Sequence, residues 1–112
     1  MKLQVFLQHL DRQLREQPAH HPAGVCLDLA RGAGVTVEFA GPQGQTLDRA
    51  AFERWQRSGG PDPFIDGEGR ATLRIQASHR ISDWVVLNAR LTPRGLVVDR
   101  RFTMLRSWVT DS

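Results

Sequence analysis

VVLNARLTPRGLV, residues 85–97, is the stretch that decides the fold class of this chain. Its first half alternates apolar residues with others, the period-2 pattern that is typical of a strand with one buried face. TPRG, residues 92–95, then places a proline and a glycine at positions that a tight turn uses. A strand, a turn and a second apolar run predict antiparallel β-structure in this part of the chain.

The segments on either side extend the predicted sheet. Residues 71–77 alternate in the same way and predict a strand, with Leu73 and Ile75 on its apolar side. The last segment, residues 96–109, keeps its apolar residues on one parity, but Arg100 and Arg106 interrupt that parity. We therefore expect a bulge or a bend in this last strand.

Towards the N-terminus, the pattern predicts two helices and a β-hairpin. Residues 2–16 carry a single apolar stripe at helical spacing, which ends before Pro18. Residues 25–40 alternate on both sides of a glycine-containing loop, which predicts a hairpin with its turn at residues 31–34. Thr46 can cap a second helix that covers about residues 47–58.

Together these elements predict an α+β fold with the order α-β-β-α-β-β-β. We expect a mainly antiparallel sheet with the two helices packed on its apolar face. The length of 112 residues and the hydrophobic share of 40% are typical of one small domain, which would span residues 1–112.

The cysteine count and the hydropathy pattern bear on the cellular compartment. Cys26 is the single cysteine, so it has no partner for an internal disulfide. The apolar run that begins at Leu3 is interrupted by polar residues and is too short for a signal peptide. No stretch approaches the roughly 20 apolar residues of a membrane helix. We expect a cytoplasmic protein that has no membrane partner.

The acidic segment at residues 62–69 has part of the composition of a calcium-binding loop. Such a loop needs oxygen ligands at alternating positions and a glutamate at the twelfth. Counted from Asp62, the third position is Phe64 and the twelfth is Leu73, so the pattern fails. Asp66-Gly67 instead predicts a hairpin turn with solvated carboxylates.

Other sets of residues lack what their chemistry requires. These are His20 with His21 for a metal ion, Cys26 for a nucleophile, and Ser78, His79, Ser82 and Asp83 for a Ser-His-Asp site. We therefore expect no catalytic residue, no metal and no cofactor, and we interpret the chain as a protein that is not an enzyme. A cluster of Asp62, Asp66 or Glu68 with His79 in the folded chain would favour an enzyme instead.

Positive charge is concentrated in the C-terminal part of the chain. Residues 1–69 contain seven basic and nine acidic residues, whereas residues 70–112 contain eight basic and three acidic ones. The candidate binding residues of this part are Arg70, Arg74, Trp84, Arg90, Arg94, Arg100, Arg101, Arg106 and Trp108. Arginine and tryptophan are enriched among the residues that dominate protein–protein interfaces.

Two observations weaken this positive charge as evidence for a binding surface. Asp28 and Glu38 lie on the polar side of the predicted hairpin, so they are expected to pair with some of these arginines across the sheet. Fourteen of the fifteen basic residues are arginine, which indicates GC-rich coding and makes arginine a weaker sign of nucleic-acid binding.

These features favour a small non-catalytic interaction protein, such as an inhibitor, an immunity or antitoxin-like protein, or an adaptor. Its protein partner would contact the Arg/Trp-rich face of the C-terminal strands. The alternative is a single-stranded nucleic-acid-binding protein that holds phosphates and stacks bases on the same basic face. Small-ligand and purely structural roles stay open. A homodimer is a further option, since the last strand can lie at an edge of the sheet.

Overall fold

The helices and strands of the computed structural model are, in chain order, α1 (Leu3–Glu16), α2 (Pro22–Ala33), β1 (Thr36–Ala40), β2 (Thr46–Leu47), α3 (Arg49–Ser58), β3 (Arg70–Gln76), β4 (Trp84–Thr92) and β5 (Gly95–Met104). The structure describes residues 3–76 and 84–104, the last five of these by their backbone alone. Within these ranges, three helices accompany one five-stranded antiparallel sheet with the strand order β2-β1-β3-β4-β5. The α+β class and the antiparallel sheet are therefore confirmed.

Helix α1 agrees with the N-terminal helix that the apolar stripe predicts. Phe6, Leu10 and Leu14 of this stripe are buried, and α1 contacts β4 and β5. The carboxylate of Asp11 accepts a hydrogen bond from the backbone N–H of Leu96 at 2.9 Å. Because Leu96 belongs to β5, this bond ties the helix to the start of that strand.

The first half of the predicted hairpin is wrong, because residues 22–33 form helix α2. Pro22 lies in the first turn, where the missing N–H of proline has no helical partner to lose. Gly34 ends the helix in the left-handed conformation, with φ 69°, and its N–H donates to the carbonyl oxygens of Ala30 and Arg31. The element order is therefore α-α-β-β-α-β-β-β, and the glycines at residues 31–34 end a helix instead of forming a hairpin turn.

The burial pattern of α2 shows why alternation was a misleading signal here. Ala23, Cys26, Leu27 and Ala30 are all buried, and their spacing is that of one helical face. Val25 and Leu27 also satisfy a period of two, so the short apolar run fits either structure. Cys26, which a strand would leave half-buried, is completely buried in the helix.

The second half of that hairpin is a strand, as predicted, but its partners differ. In β1, Val37 and Phe39 are buried. Phe39 lies opposite Leu47 of β2 on one side and opposite Leu73 of β3 on the other. The strand thus lies inside the sheet, next to a strand that follows it in the chain by about thirty residues, as their bounds show.

Helix α3 begins two residues later than the predicted start. Thr46 and Leu47 form β2, and the N-cap is Asp48, whose side chain accepts a hydrogen bond from the backbone N–H of Ala51 at 2.9 Å. Phe52 belongs to this helix and is buried. The helix contacts α2 and β2, so it covers the β2 side of the sheet.

The C-terminal strands agree with the predicted pattern, including the irregularity in the last one. In the pairing of β4 with β5, Ala89 lies opposite Val98 and Asn88 lies opposite Arg100. Asp99 is therefore one extra residue on the β5 side, which is a β-bulge. Because of the bulge, the even-numbered residues of β5 lie opposite helix-side residues of β4 before Asp99 and opposite open-face residues of β4 after it.

The strands present two different faces. One face carries completely buried residues such as Leu73, Ile75 and Leu87, which form a core with the helices. Alternate residues point to the opposite side of the sheet, against which none of the described helices packs. We name this side the open face, and it is formed by Glu38 of β1, by Arg70, Thr72 and Arg74 of β3, and by Trp84, Val86, Asn88 and Arg90 of β4.

The longest helix in the described ranges, α1, has 14 residues. No helix in this part of the chain is long and apolar enough to cross a membrane.

Candidate functional site

The structure brings four of the nine predicted binding residues together on the open face, namely Arg70, Arg74, Trp84 and Arg90. Arg94 is exposed in the turn between β4 and β5, where its backbone N–H donates to the hydroxyl of Thr92 at 3.1 Å. Arg100 and Arg101 lie in β5, opposite Asn88 and Leu87 in the backbone register. Arg106 and Trp108 lie outside the described residues.

Each of the three arginines on the open face has a carboxylate partner. The Arg70 guanidinium lies 2.9 Å from Glu68, that of Arg74 lies 3.4 Å from Glu38, and that of Arg90 lies 3.8 Å from Asp99. The pairs of Arg70 and Arg90 are exposed and contribute little to stability, whereas the pair of Arg74 is half-buried. All three pairs offset the positive potential of the arginines at a distance. The open face is therefore close to neutral, which a count of basic residues along the sequence does not reveal.

The two acids that were expected to meet these arginines have different positions. Glu38 pairs with Arg74 as predicted, because the register places the two residues opposite each other in β1 and β3. The expectation for Asp28 is wrong. This residue lies in α2 and pairs with Arg49 of α3, so its contact is between helices on the other side of the sheet.

Arg74 also stacks on an aromatic ring of the neighbouring strand. Its guanidinium carbon lies 5.7 Å from the centre of the Trp84 ring, within the range of a cation–π interaction. The Arg74 and Trp84 side chains are both only partly buried. The pair thus presents a flat, amphipathic surface beside the ion pair with Glu38.

A groove of about 450 Å³ crosses the open face next to these arginines. Thr72 and Asn88 contribute to it from neighbouring strands, and the Thr72 hydroxyl donates to Oδ1 of Asn88 at 2.8 Å. The rest of the lining comes from Ala71 and Ala89 in the same strands, Arg70, Asp99, residues 40–42 after β1 and residues 62–66 before β3.

Asp66 forms the rim of this groove at the entrance to β3. One carboxylate oxygen, Oδ1, accepts hydrogen bonds from the backbone N–H groups of Glu68 at 2.8 Å and Arg70 at 2.9 Å. These bonds lower the pKa of the carboxyl group, with a smaller contribution from the Arg70 charge. The predicted turn at Asp66-Gly67 exists, but it leads from a loop into β3 and does not join two strands of a hairpin.

Asp62 holds the loop that forms another wall of the groove. Its Oδ1 accepts hydrogen bonds from the backbone N–H groups of Phe64 at 2.8 Å and Ile65 at 3.3 Å, and its Oδ2 lies 2.6 Å from Nε2 of His21. Nδ1 of His21 accepts the N–H of Ala23 at 3.0 Å and so caps α2. Nε2 must then carry the ring proton and donate it to Asp62.

His21 was considered only as a metal ligand together with His20, and its structural role was missed. The imidazole packs at 5.1 Å from the ring of Trp55 and at 5.3 Å from that of Phe52. Since both ring nitrogens have partners, this histidine joins α2 to the loop after α3 and has no free nitrogen for acid–base chemistry. The sequence signal was Pro22, since a residue that precedes an N-terminal helical proline is a natural N-cap.

Within residues 3–76 and 84–104, no metal cluster is formed and the single thiol is not placed to react. In these ranges, no group of three or more His, Cys, Asp or Glu residues is placed to hold a metal ion. Burial raises the pKa of the Cys26 thiol to about 12, so the sulfur is both protonated at neutral pH and inaccessible. Ser78, His79, Ser82 and Asp83 lie outside the described residues.

Comparison with protein-family models, with curated proteins and with solved structures gives no match for this chain. The arrangement of the open face is therefore the basis on which a function is proposed.

Proposed function

We propose that this protein is a non-catalytic interaction module that binds a protein partner through the open face of β3 and β4 and the adjoining strand β5. In biological terms this is the role of an inhibitor, of an immunity or antitoxin-like protein, or of an adaptor. The observation that carries the proposal is the composition of the face. Three arginines there alternate with three carboxylates and adjoin an arginine–tryptophan stack.

Such a composition suits a protein partner better than a nucleic acid. Protein interfaces combine arginine and tryptophan with polar groups of both signs. Nucleic-acid affinity depends on basic side chains that neutralise phosphates, and carboxylates beside these side chains repel the same phosphates. Glu38, Glu68 and Asp99 thus count against a phosphate-binding surface.

The edge strand adds an exposed apolar residue to the same side. β5 is the last strand in the sheet order, and its Val97 is 50% exposed, whereas the neighbouring Val98, 38% exposed, lies opposite Ala89 of the helix side. Val97 lies opposite Arg90 in the register, next to the open face. An exposed apolar edge is a common place for a second chain to attach, so the partner is expected to contact both Val97 and Arg90.

The proposal includes a cytoplasmic location, which rests on the single cysteine. Cys26 is buried and unpaired in the folded chain, as suits a reducing compartment.

Site-specific photo-cross-linking in the native host tests this proposal. A benzophenone amino acid at position 97 is expected to cross-link one defined protein, and the same group at Gln56, which is exposed on α3, is expected not to do so. Arg90→Glu should reduce the cross-link from position 97, because it places a third carboxylate beside Asp99 and Asp66 on that end of the face. Equal products from positions 97 and 56, or none from either, would show that the open face does not bind a protein.

Single-stranded nucleic acid is the second candidate, and the Arg74–Trp84 stack is the observation that favours it. An aromatic ring with a neighbouring guanidinium can stack a base. Fluorescence anisotropy with a labelled single-stranded oligonucleotide separates the two candidates. We expect no saturable binding at low salt. Binding that weakens steeply with salt and is lost in Trp84→Ala would support single-stranded nucleic-acid binding as the function instead.

A further inference from the structure

The groove on the open face differs from the rest of that face in its lining and its shape. Its walls include Pro42, Pro63 and Ile65, and Thr72 and Asn88 line it from β3 and β4. The groove is more open than enclosed, whereas sites for small metabolites bury most of the surface of their ligand. An open groove across a sheet is better suited to a side chain that a larger partner presents.

Among the residues whose side chains the structure describes, the charges that line this groove are unequal, although those of the open face are balanced. Asp62, Asp66 and Asp99 contribute three carboxylates, while Arg70 contributes one guanidinium, which lies 2.9 Å from Glu68. Electrostatic complementarity therefore favours a positively charged occupant.

The three carboxylates differ in how many hydrogen-bond and ion-pair partners they already have. Asp62 bonds to two backbone N–H groups and to His21, and Asp99 faces Arg90 at 3.8 Å. Asp66 bonds to backbone N–H groups through Oδ1, and no side chain of the described residues pairs with its carboxylate. Its Oδ2 can accept from an incoming donor without breaking the turn that it stabilises.

We infer that the groove receives an arginine side chain of the protein partner, with its guanidinium on Asp66 and its aliphatic stem along Pro63 and Ile65. Guanidinium groups are planar donors that match carboxylate geometry, and long basic side chains lay their stems on apolar surfaces. The amide of Asn88 and the hydroxyl of Thr72, which bond to each other, are not required for this contact. The inference rests on the proposed function, since it names the chemistry by which the same face recognises its partner.

The experiment uses the full chain, labelled with ¹⁵N, and an acetylated and amidated peptide Ala-Ala-Arg-Ala-Ala as the probe. Saturable shifts are expected at the backbone amides of residues 64–71 and at the side-chain amide of Asn88. A citrulline peptide of the same length keeps the shape of the arginine and removes its charge. We expect it to bind at least about tenfold more weakly, because a hydrogen bond to a charged group is lost.

Asp66→Asn is the matched variant, because asparagine keeps the carbonyl oxygen that accepts the N–H groups of Glu68 and Arg70 and removes the negative charge. This substitution should also weaken the binding of the arginine peptide about tenfold. Asp28→Asn makes the same charge change on α2, away from the groove, and should leave the affinity unchanged.

Three results would overturn the inference. They are equal binding of the arginine and citrulline peptides, the absence of saturable shifts, and insensitivity to Asp66→Asn. Shifts of the groove residues that grow with protein concentration in the absence of peptide would assign the groove to a second copy of the chain and would overturn it too. Any of these results, combined with a specific cross-link from position 97, would leave the proposed function standing without this arginine contact.

Discussion

Successive residues of β3 and β4 point to opposite faces of the sheet, and the two faces differ in burial and polarity. On the helix side, Leu73, Ile75 and Leu87 are completely buried in the core that the sheet forms with the helices. On the open face, Thr72, Arg74 and Asn88 stay partly exposed and pair with other polar groups. The comparison teaches that a core residue and a residue of the proposed binding face can be neighbours in the chain, so substitutions at adjacent positions should differ in their consequences.

The largest expected effect tests the buried side directly. Leu87→Ala should lower the free energy of unfolding by about 2–5 kcal/mol, because it leaves a cavity at a completely buried site. Val86→Ala, one residue away on the open face, should cost about 1 kcal/mol or less, since this valine is only partly buried. Urea unfolding measures both values, and equal losses would contradict the separation of the two faces.

The next effect tests how the helices are attached to the sheet. Gly95 has φ +118°, and a Cβ there would lie within 3 Å of the Asp11 carboxylate that holds Leu96. Gly95→Ala should therefore cost about 2–4 kcal/mol through backbone strain and loss of that hydrogen bond.

Gly32→Ala is the matched control for this glycine. No atom lies within 4 Å of a Cβ at this position in α2. The substitution should stabilise the protein by about 0.5–1 kcal/mol, because alanine loses less backbone freedom in a helix. Thermal unfolding of both variants measures the contrast, and a neutral Gly95→Ala would show that the α1–β5 contact is loose.

A smaller effect concerns pH and the buried thiol on the helix side. The pKa of Cys26 is raised from 9.0 to about 12 in the folded chain, so the folded state keeps a proton that the unfolded state releases. The resulting stability is fully present below pH 9 and is lost as the pH rises towards 12, at a rate of at most about 1.4 kcal/mol per pH unit.

Urea unfolding between pH 8 and about pH 11 checks this slope. The absence of tyrosine and the presence of one lysine leave few other groups that titrate there. Cys26→Ala should flatten the dependence, and an unchanged slope in this variant would show that the thiol is not its source.

The smallest expected effect belongs to the open face. Arg90→Gln should change the free energy of unfolding by no more than about 0.5 kcal/mol, because its ion pair with Asp99 is exposed and 3.8 Å long. The same variant should still reduce the cross-link from position 97. A large loss of stability would mean that this arginine supports the fold and is a poor candidate for recognition.

Much of the fold could be predicted from local pattern. Helix α1, the strand at residues 36–40 and the strands β3 to β5 follow the periodicity of their apolar residues, and even the bulge at Asp99 shows as a break in parity. Helix α2 could not be separated from a strand by alternation, because residues 25–29 fit both periods. The correct signals were Pro22 and Gly34 at its ends, and they were read as loop residues.

The candidate site was predictable in part, for a related reason. The positions of Arg70, Arg74, Trp84 and Arg90 on one face follow from a period of two, which is a local property of strands. The ion pairs of Arg70 and Arg90 depend on a turn and a bulge, and the groove depends on which strands are neighbours.

The local sequence pattern was therefore sufficient to predict which residues alternate between buried and exposed positions. This alternation depends only on backbone geometry over a few residues. Contacts between distant segments required the folded chain. His21 meets Asp62 across forty-one positions, and Asp11 meets Leu96 across eighty-five. No periodicity encodes such pairs, because they arise when burial of the apolar faces brings separate elements together. The same packing leaves the open face uncovered by the described helices and makes it available for a partner.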